Sequence, residues 1–354
     1  MRVPSGAPAA EVMSDMAVLA RGDFLRAPVL ATARPEGYKE WHHFAVHRPG
    51  WRLLVNFSLA NEPLPDRPLR LVPRVIVIIH QERWSGVVER FTDADLHVSA
   101  DLGSVAIGRH SMRIGPDGYR ITIDSPERGI GGELHLTPVS RPFVVTNQPA
   151  GSGRLSWLLV PRLRATGWFR AGGVEHRLAD EPAYHDHNWG RFRWGEDFGW
   201  EWSSILPSNS GDPWSLVFTR VTDRRRLHSF YQALFVWRHD ELVAVYRDAA
   251  VRADSHGLLA RPPDCTLPPP MRLVLGGEAC DVPESVEITG TRSGEVMRAE
   301  FRPVSYARLA QPSEVDLDRS VVLCETSGTA HIRGVVDGEE LDFTGDGVFE
   351  WLHG

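Results

Sequence analysis

Short stretches in which polar and apolar residues alternate recur along the chain, and this period of two limits the possible folds more than any other feature. Residues 119–124 read YRITID and residues 133–137 read ELHLT. Such alternation is typical of antiparallel strands with one face on a core. The 32 glycines and 26 prolines break up most possible helices. The pattern predicts an all-β protein, either sandwich or barrel.

A few segments depart from simple alternation. Residues 74–80, RVIVIIH, are apolar on both faces and predict a strand that is covered on both sides. Only residues 9–20 and 305–309 have a helical pattern. The proline-rich segment 264–270 predicts a long loop, because proline cannot donate to a strand ladder.

An internal repeat divides the chain. Residues 166–178 lead into 183–189, and residues 327–338 lead into 345–351, each as a hairpin followed by a strand that ends in tryptophan. Gly167 then corresponds to Gly328, Gly173 to Gly334 and Trp189 to Trp351, a spacing of nearly half the chain. This predicts two similar β-domains in tandem. We expect an N-terminal arm over 1–30, a first domain over 31–206 and a second over 207–354, with the boundary at the turn-rich segment 207–213.

The segment YHDHNWG, residues 184–190, differs between the two copies. The second copy has Val348 and Phe349 where the first has Asp186 and His187. The polar side chains are therefore an addition in the first copy, which favours a function over a purely architectural role. On a strand, successive side chains point to opposite faces. We expect His185, His187 and Trp189 on the cavity face, and we assign structural support to the opposite face, which carries Tyr184, Asp186 and Asn188.

Aromatic residues concentrate around this segment. Five of the 12 tryptophans lie within residues 189–214, and an earlier strand places Trp41 and His43 on one face. Together they predict an apolar cavity with aromatic walls for a hydrophobic small molecule. We predict His187, Trp189 and Tyr231 as catalytic residues. The predicted substrate-binding residues are Trp41, His43, His185, Trp200, Trp202, Trp214 and Phe218.

Three interpretations of the histidines stay open. The first is structural, because buried polar side chains commonly satisfy neighbouring backbone groups. The second is a metal site at His185 and His187, which needs a third ligand such as His43 or His176. The third is a proton-handling His187 in an aromatic cavity whose tryptophans stabilise positive charge. We expect the third, and therefore predict no metal and no cofactor.

The segment at 184–190 belongs to a wider set of residues that is typical of one protein family. AYHDHNWG at 183–190, Trp200 and Trp202 after it, and GDGVFE at 345–350 together resemble the hydroxyneurosporene synthase or carotenoid 1,2-hydratase family, also called AttH-like. The segment EWHHF at 40–44 is a weaker match to the start of the first domain. The resemblance implies two lipocalin-like β-barrel domains. It also implies hydration of an isoprenoid double bond without metal or redox cofactor, or, in relatives, intramolecular [4+2] cycloaddition of polyketide chains. By motif, the active-site histidine would be His187 and its aromatic neighbour Trp189.

One departure from the family pattern decides between these activities. The hydratases resemble one another in having a tyrosine and an acidic proton donor on a strand soon after the motif, whereas residues 213–220 here read PWSLVFTR, without a carboxylate. Unless Glu201, Asp197 or Asp223 substitutes, hydration lacks its acid. A cycloaddition needs none, only a shaped dry pocket and one hydrogen bond from His187 or Tyr231. We therefore expect a cyclase, of the isomerase or lyase class, that acts as a [4+2] pericyclase on a polyene in specialised metabolism. The alternatives are a hydratase or proton-initiated cyclase of an isoprenoid, and a binding protein that carries a hydrophobic ligand without chemistry.

The charge of the chain excludes some partners. The formal net charge is −7, and arginines are scattered among acids. No field of one sign is available to attract a nucleic-acid backbone or an anionic membrane. No stretch reaches the roughly 18 apolar residues of a spanning helix, and the N-terminus lacks the apolar core of a secretion signal. We expect a cytoplasmic protein.

Overall fold

The structure is a computed structural model that describes residues 22–28, 31, 36–64, 67–209, 211–276, 281–316 and 318–353. Strands dominate these residues, so the predicted all-β class is confirmed. The helix expected over 9–20 lies outside the described residues. No helix in the described ranges has the length and apolar character needed to cross a membrane.

The first half of the chain forms one large antiparallel sheet. Its order along the sheet is β4-β3-β2-β1-β12-β11-β9-β8-β7-β6-β5, with β10 paired to β11. The strands are β1 (Tyr38–Arg48), β2 (Trp51–Leu64), β3 (Arg67–His80), β4 (Trp84–Arg90), β5 (Leu96–Val98), β6 (Ser104–Ile107), β7 (His110–Gly115), β8 (Gly118–Ser125), β9 (Ile130–Pro138), β10 (Phe143–Ala150), β11 (Gly153–Ala171) and β12 (Val174–Arg191).

The second half forms another sheet. Its order is β16-β15-β14-β13-β22-β21-β20-β19-β17, with β18 paired in parallel to β20. The strands are β13 (Gly199–Pro207), β14 (Trp214–Thr222), β15 (Ser229–Arg238), β16 (Glu241–Arg247), β17 (Val251–His256), β18 (Cys265–Leu267), β19 (Ser285–Arg292), β20 (Glu295–Pro312), β21 (Ser320–Val336) and β22 (Glu339–His353). One short helix, α1 (Met271–Leu275), follows β18, and 3₁₀ turns span Asp93–Asp95, Pro126–Arg128 and Asp248–Ala250.

The two sheets share one strand order. In each, four strands form a meander, and the first of them pairs with the last strand of the same half, β1 with β12 and β13 with β22. The long hairpins β11–β12 and β21–β22 are the two repeated segments of the sequence. The predicted tandem all-β architecture is therefore confirmed at the level of the sheets.

The strand pairing changes from one sheet to the other between Arg191 and Gly199. The boundary predicted at 206/207 falls at the end of β13, a strand that pairs with β22 and so belongs to the second sheet. The turn-rich segment 207–213 instead links β13 to β14. The division of the chain into independent domains stays a prediction.

Three apolar cores cover the central strands on both faces. A first core lies within the first half and includes Phe44 and Phe169. A middle core takes side chains from both sheets, Tyr184 and Phe235 among them. A last core, which contains Trp351, lies within the second half. Neighbouring residues of one strand therefore enter different cores, and residues 74–80 are covered on both faces, as predicted.

Two local predictions are wrong. Residues 305–309 are strand, not helix, because β20 pairs with β21 on one side and with β19 and β18 on the other. Those ladders and the burial of Tyr306 override the weak local pattern. The segment 264–270 is not entirely a loop, since Cys265–Leu267 forms β18 beside β20 and the prolines follow it.

Two glycines of the repeat have the same structural reason to be glycine. A Cβ atom on Gly167 of β11 would lie 2.0 Å from the carbonyl oxygen of Glu133 in β9. On Gly328 of β21 it would lie 2.4 Å from that of Arg302 in β20. The other glycine pair differs, because Gly173 lies in the hairpin turn with open space around it, whereas Gly334 lies within β21.

We expect Gly167→Ala to destabilise the fold by about 3 kcal/mol, because alanine adds a backbone clash to a positive φ of 119°. Gly172→Ala is the matched control, with a φ of 58° and no atom within 4 Å of the added carbon. It should cost only about 1 kcal/mol. Chemical denaturation of both variants measures the difference, and equal losses would contradict the clash.

Candidate functional site

A cavity of about 370 Å³ lies between the two sheets. This volume falls within the ~300–1,000 Å³ of small-molecule sites. Side chains of both halves line it, including Ile76 and Leu159 from the first sheet and Val221 and Leu352 from the second. Leu267 of β18 and Met271 of α1 complete the apolar wall.

Aromatic side chains form part of the cavity wall. The lining contains Trp41, Trp157, Trp194, Trp200 and Trp202. The rings of Trp41 and Trp200 are stacked with centroids 6.1 Å apart, and Trp194 lies 5.4 Å from Trp200. Indole faces carry negative potential, so this wall can stabilise a cation on a bound molecule.

Three carboxyl groups line the cavity within the described residues: the buried Asp186 of β12 and Glu325 of β21, and the half-buried Glu350 of β22. Burial raises the pKa of Asp186 to about 8, with Glu350 adding to the effect, although hydrogen bonds to Tyr184 and Asn188 oppose it. The Trp202 indole in turn donates to the Tyr184 hydroxyl at 3.2 Å. Asp186 is therefore held rigidly in the cavity wall.

Glu325 and Glu350 form a pair. They lie directly opposite each other on β21 and β22, and both side chains line the cavity. Burial raises the pKa of both groups, and for Glu325 the neighbouring Glu350 raises it further. The Trp200 indole N–H donates to Glu350 Oε1. Since two adjacent carboxylates in an apolar wall repel each other, the pair retains a proton.

His43 also faces the cavity. Its Nε2 has no hydrogen-bond partner, and its ring meets that of Trp202 edge to face at 5.6 Å. Burial lowers the pKa of His43 to about 3, with His185 adding to the effect, so the imidazole is neutral. It can offer either a donor or an acceptor to a bound molecule.

Charged side chains also line the cavity. Arg74 and Arg90 both pair with Glu62, and Arg74 also donates to Gln311 Oε1 at 3.4 Å. The Arg90 side chain is 52% exposed. Arg90 therefore meets solvent, whereas Asp186 and Glu325 are buried.

A second polar group lies on the other face of β1 and β12, and we call it the histidine cluster: Asp23, Glu40, His42, His185 and His187. His187 Nε2 lies 2.8 Å from Glu40 Oε1 and its Nδ1 lies 3.1 Å from Asp23 Oδ1. His185 Nε2 lies 2.9 Å from Asp23 Oδ2. His42 stacks on His187 with ring centroids 3.9 Å apart.

Charge is balanced inside this cluster. Burial alone would lower the pKa of His187, but hydrogen bonds to Asp23 and Glu40 outweigh burial and raise it. Burial alone would raise the pKa of Asp23, yet His185 and His187 hold it well below its usual range. Burial and the adjacent His187 hold the pKa of His42 well below its usual range, so that ring is neutral.

The predicted cavity face of β12 is wrong. The cavity is lined by Asp186 and Asn188, whereas His185, His187 and Trp189 point into the first core. The alternation was read correctly, but both faces of this strand are buried, so alternation alone could not say which face meets the cavity.

The structure brings other predicted residues to different places. Trp41, His43, Trp200 and Trp202 line the cavity, as expected of substrate-binding residues. The other predicted contacts do not line it. Tyr231 packs on Trp157 in the middle core without lining the cavity, and Trp214 and Phe218 belong to the last core.

The acids considered from sequence lie elsewhere. Glu201 faces Arg220 and Arg226, while Asp197 and Asp223 accept backbone N–H groups in loops. Glu325 and Glu350 lie far along the chain and were missed. The sequence did contain one signal for Glu350. Glu350 directly precedes Trp351 in the second copy of the repeat, as Asn188 directly precedes Trp189 in the first. The repeat therefore places Glu350 and Asn188 on corresponding faces of their strands.

Comparisons with known proteins agree with this architecture. No protein-family model matches the sequence, and no curated protein sequence matches it. The structure is similar to that of a provisionally assigned AttH protein from Nitrosomonas europaea, with 12% identity and a TM-score of 0.63 over 99% of this chain and 98% of that chain. It is also similar to CghA bound to Sch210972, with 13% identity and a TM-score of 0.59 over 90% and 89%.

A third similar structure is kievitone hydratase from Nectria haematococca, with 11% identity and a TM-score of 0.58 over 90% of this chain and 89% of that chain. At such identities the likeness shows a common fold. The resemblance to AttH-like proteins seen in the sequence is thus confirmed at the level of structure.

We expect Glu325→Gln to make stability less dependent on pH. Because the folded pair keeps protons that unfolded glutamates lose above about pH 4.3, the free energy of unfolding of the original protein falls as pH rises from there through the raised pKa values. Each retained proton contributes a slope of about 1.4 kcal/mol per pH unit, and glutamine removes one.

Denaturation between about pH 5 and 8 measures this slope. The control is Glu340→Gln, an exposed glutamate on the same strand as Glu350, which should leave the slope unchanged. An unaltered slope in Glu325→Gln would mean that the pair holds no extra proton.

Proposed function

We propose that the protein is an enzyme that protonates a carbon–carbon double bond of a largely apolar substrate held between the sheets. Hydration or cyclisation of that substrate follows. One observation carries this proposal: Glu325 and Glu350 lie opposite each other on neighbouring strands in the wall of an apolar, aromatic cavity. A proton donor that remains protonated near neutral pH is what such chemistry requires.

The pair is suited to give up one proton. When it is transferred to the alkene carbon, the negative charge left on the pair is stabilised by the Trp200 indole N–H, which already donates to Glu350. Preorganised donors of this kind need no rearrangement during the reaction. Trp200 therefore serves the acid through its N–H as well as the cavity through its ring.

The cation formed in this step lies among indole faces. Trp41, Trp200 and Trp202 line the same cavity as the pair and can stabilise positive charge through their rings. Capture by water gives an alcohol, and the proton lost from that water restores the pair. Capture by a second double bond of the substrate instead closes a ring, and loss of a proton to the pair completes the cycle.

This proposal revises the order of the functions expected from sequence. Cycloaddition ranked first because the strand at 213–220 has no carboxylate, and β14 indeed contributes none to the cavity. The acids come from β12, β21 and β22 instead. Carboxyl groups are therefore available in the cavity for acid-initiated chemistry.

A [4+2] cycloaddition is the second candidate. Two observations favour it: the wall is largely apolar, and its neutral carboxyl groups can donate a hydrogen bond that polarises a dienophile. CghA, which has this fold, was crystallised with Sch210972, which agrees with a small molecule as the ligand of such a protein. Carriage of a hydrophobic molecule without chemistry is the remaining alternative.

Reaction in deuterated water separates these functions. The probes are linear polyenes and prenylated aromatic compounds with a terminal trisubstituted double bond, and products are analysed by mass spectrometry and NMR. A product with carbon-bound deuterium supports the proposal, as a hydrate or as a ring. A cyclic product of equal mass without deuterium shows cycloaddition, and recovery of every probe unchanged but bound shows carriage; either result contradicts the proposal.

We expect Glu350→Gln to lower kcat by about 10²–10⁴-fold, because glutamine cannot supply the proton. KM should change little, since the side chain keeps its size. Glu340→Gln, exposed on the same strand, is the control and should react like the original protein. Steady-state kinetics on a converted probe test this, and equal kcat values for both variants would exclude the pair as the acid.

A further inference from the structure

The histidine cluster is separate from the cavity and unused by the proposed reaction. Its members come from three parts of the chain: Asp23 from the N-terminal segment, Glu40 and His42 from β1, and His185 and His187 from β12. Each of the five residues is at most 1% exposed. Burying so many ionisable groups is costly unless each has a partner.

His42 lacks such a partner. Neither of its ring nitrogens has a hydrogen bond, although the residue is 1% exposed. The 3.9 Å between His42 Nδ1 and Asp23 Oδ1 is too long for a hydrogen bond, and Asp23 Oδ1 lies 3.1 Å from His187 Nδ1 instead. Buried polar atoms without partners are rare, and an ion is one of the recognised explanations.

The unpartnered His42 belongs to a possible ligand set. Asp23, His42 and His185 each offer a ligand atom, and these atoms lie within 4.8 Å of one another. Two imidazoles and one carboxylate suit zinc and related divalent ions. A second set, Glu40, His42 and His187, shares His42.

Hydrogen bonds around the first set orient it for binding. His185 Nδ1 donates to the backbone carbonyl of His43 at 2.9 Å, which leaves the lone pair on Nε2, toward Asp23. The Tyr119 hydroxyl donates to Asp23 Oδ2 at 2.8 Å. Metal ligands in proteins typically have outer partners of this kind.

The second set is already engaged. Glu40 accepts hydrogen bonds from the backbone N–H groups of Arg26 and Ala27 at 2.7 and 2.5 Å and from the Tyr38 hydroxyl at 3.0 Å. His187 Nε2 lies 2.8 Å from the same carboxylate. Through these contacts Glu40 connects residues 26–27, β1 and β12, so Glu40 and His187 are less available as metal ligands than Asp23 and His185.

We propose that Asp23, His42 and His185 bind one divalent transition-metal ion of the zinc type inside the first core. The site ties the N-terminal segment to β1 and β12, so its role is structural. It replaces the sequence prediction of no metal. The second histidine ligand is His42. The candidates expected from sequence lie elsewhere: His43 faces the cavity, and the His176 ring lies 2.8 Å from the Gln81 side chain.

Cobalt provides the first test. Untagged full-length protein is treated with EDTA, dialysed and titrated with CoCl₂ while the visible spectrum is recorded. We expect d–d absorption bands that saturate at one equivalent, disappear when ZnCl₂ is added, and accompany a rise in the thermal midpoint. Absence of saturable bands in the original protein would overturn the proposal without any mutation.

Variants then locate the ligands. His42→Ala and the isosteric Asp23→Asn should each weaken cobalt binding at least about 10-fold. His43→Ala is the matched control, because it removes a buried histidine from the next position on the opposite face, and it should keep the bands. If Asp23→Asn, which preserves the shape of the side chain, binds cobalt as tightly as His43→Ala, the assignment is wrong even if His42→Ala does not fold.

Discussion

The pairing of the first strand of each half with its last strand is the constraint on which the rest of the structure depends. In the first half, β1 lies against β12 so that His42 is opposite His187 and Trp41 is opposite Asn188. Residues almost 150 positions apart thereby become neighbours on two separate faces. Because each sheet is covered on both sides, one face of this strand pair enters the first core and the other lines the cavity. A shift of one residue in the register would exchange the two sets of side chains.

The same strand pair thus carries two kinds of buried polar chemistry, separated by one thickness of sheet. On the cavity face, Asp186 meets Glu325 and Glu350 of the second half in a wall that is otherwise apolar and aromatic. On the other face, the histidine cluster balances two carboxylates against imidazole rings. The difference is one of pairing: Glu325 and Glu350, which face each other, have raised pKa values, whereas His185 and His187 hold the pKa of Asp23 well below its usual range.

The sequence predicted much of this arrangement. Alternation indicated strands, the repeat indicated two sheets of one plan, and the tryptophans indicated a cavity that indeed contains Trp41, Trp200 and Trp202. The sequence also contained a second sign of the repeat, the dipeptide Glu-Trp at 40–41 and again at 201–202. In the structure Glu40 lies opposite Trp189, and Glu201 lies opposite Trp351 in the same way. The proposed acid pair was missed because its members lie in the second half of the chain, where GDGVFE at 345–350 indicated only a family resemblance.

What the sequence determined by itself is the strand content, the two-sheet plan and the grouping of residues into faces, because these follow from periodicities within short segments. What only the tertiary structure decided is which face meets the cavity and which residues from distant strands complete each site. Asp186 and His187 are adjacent in the chain and point in opposite directions, so their environments depend on what packs against each side. Asp186 packs toward the second sheet, and His187 packs against the segment that contains Asp23. Both of these neighbours are distant from residues 186–187 in the sequence.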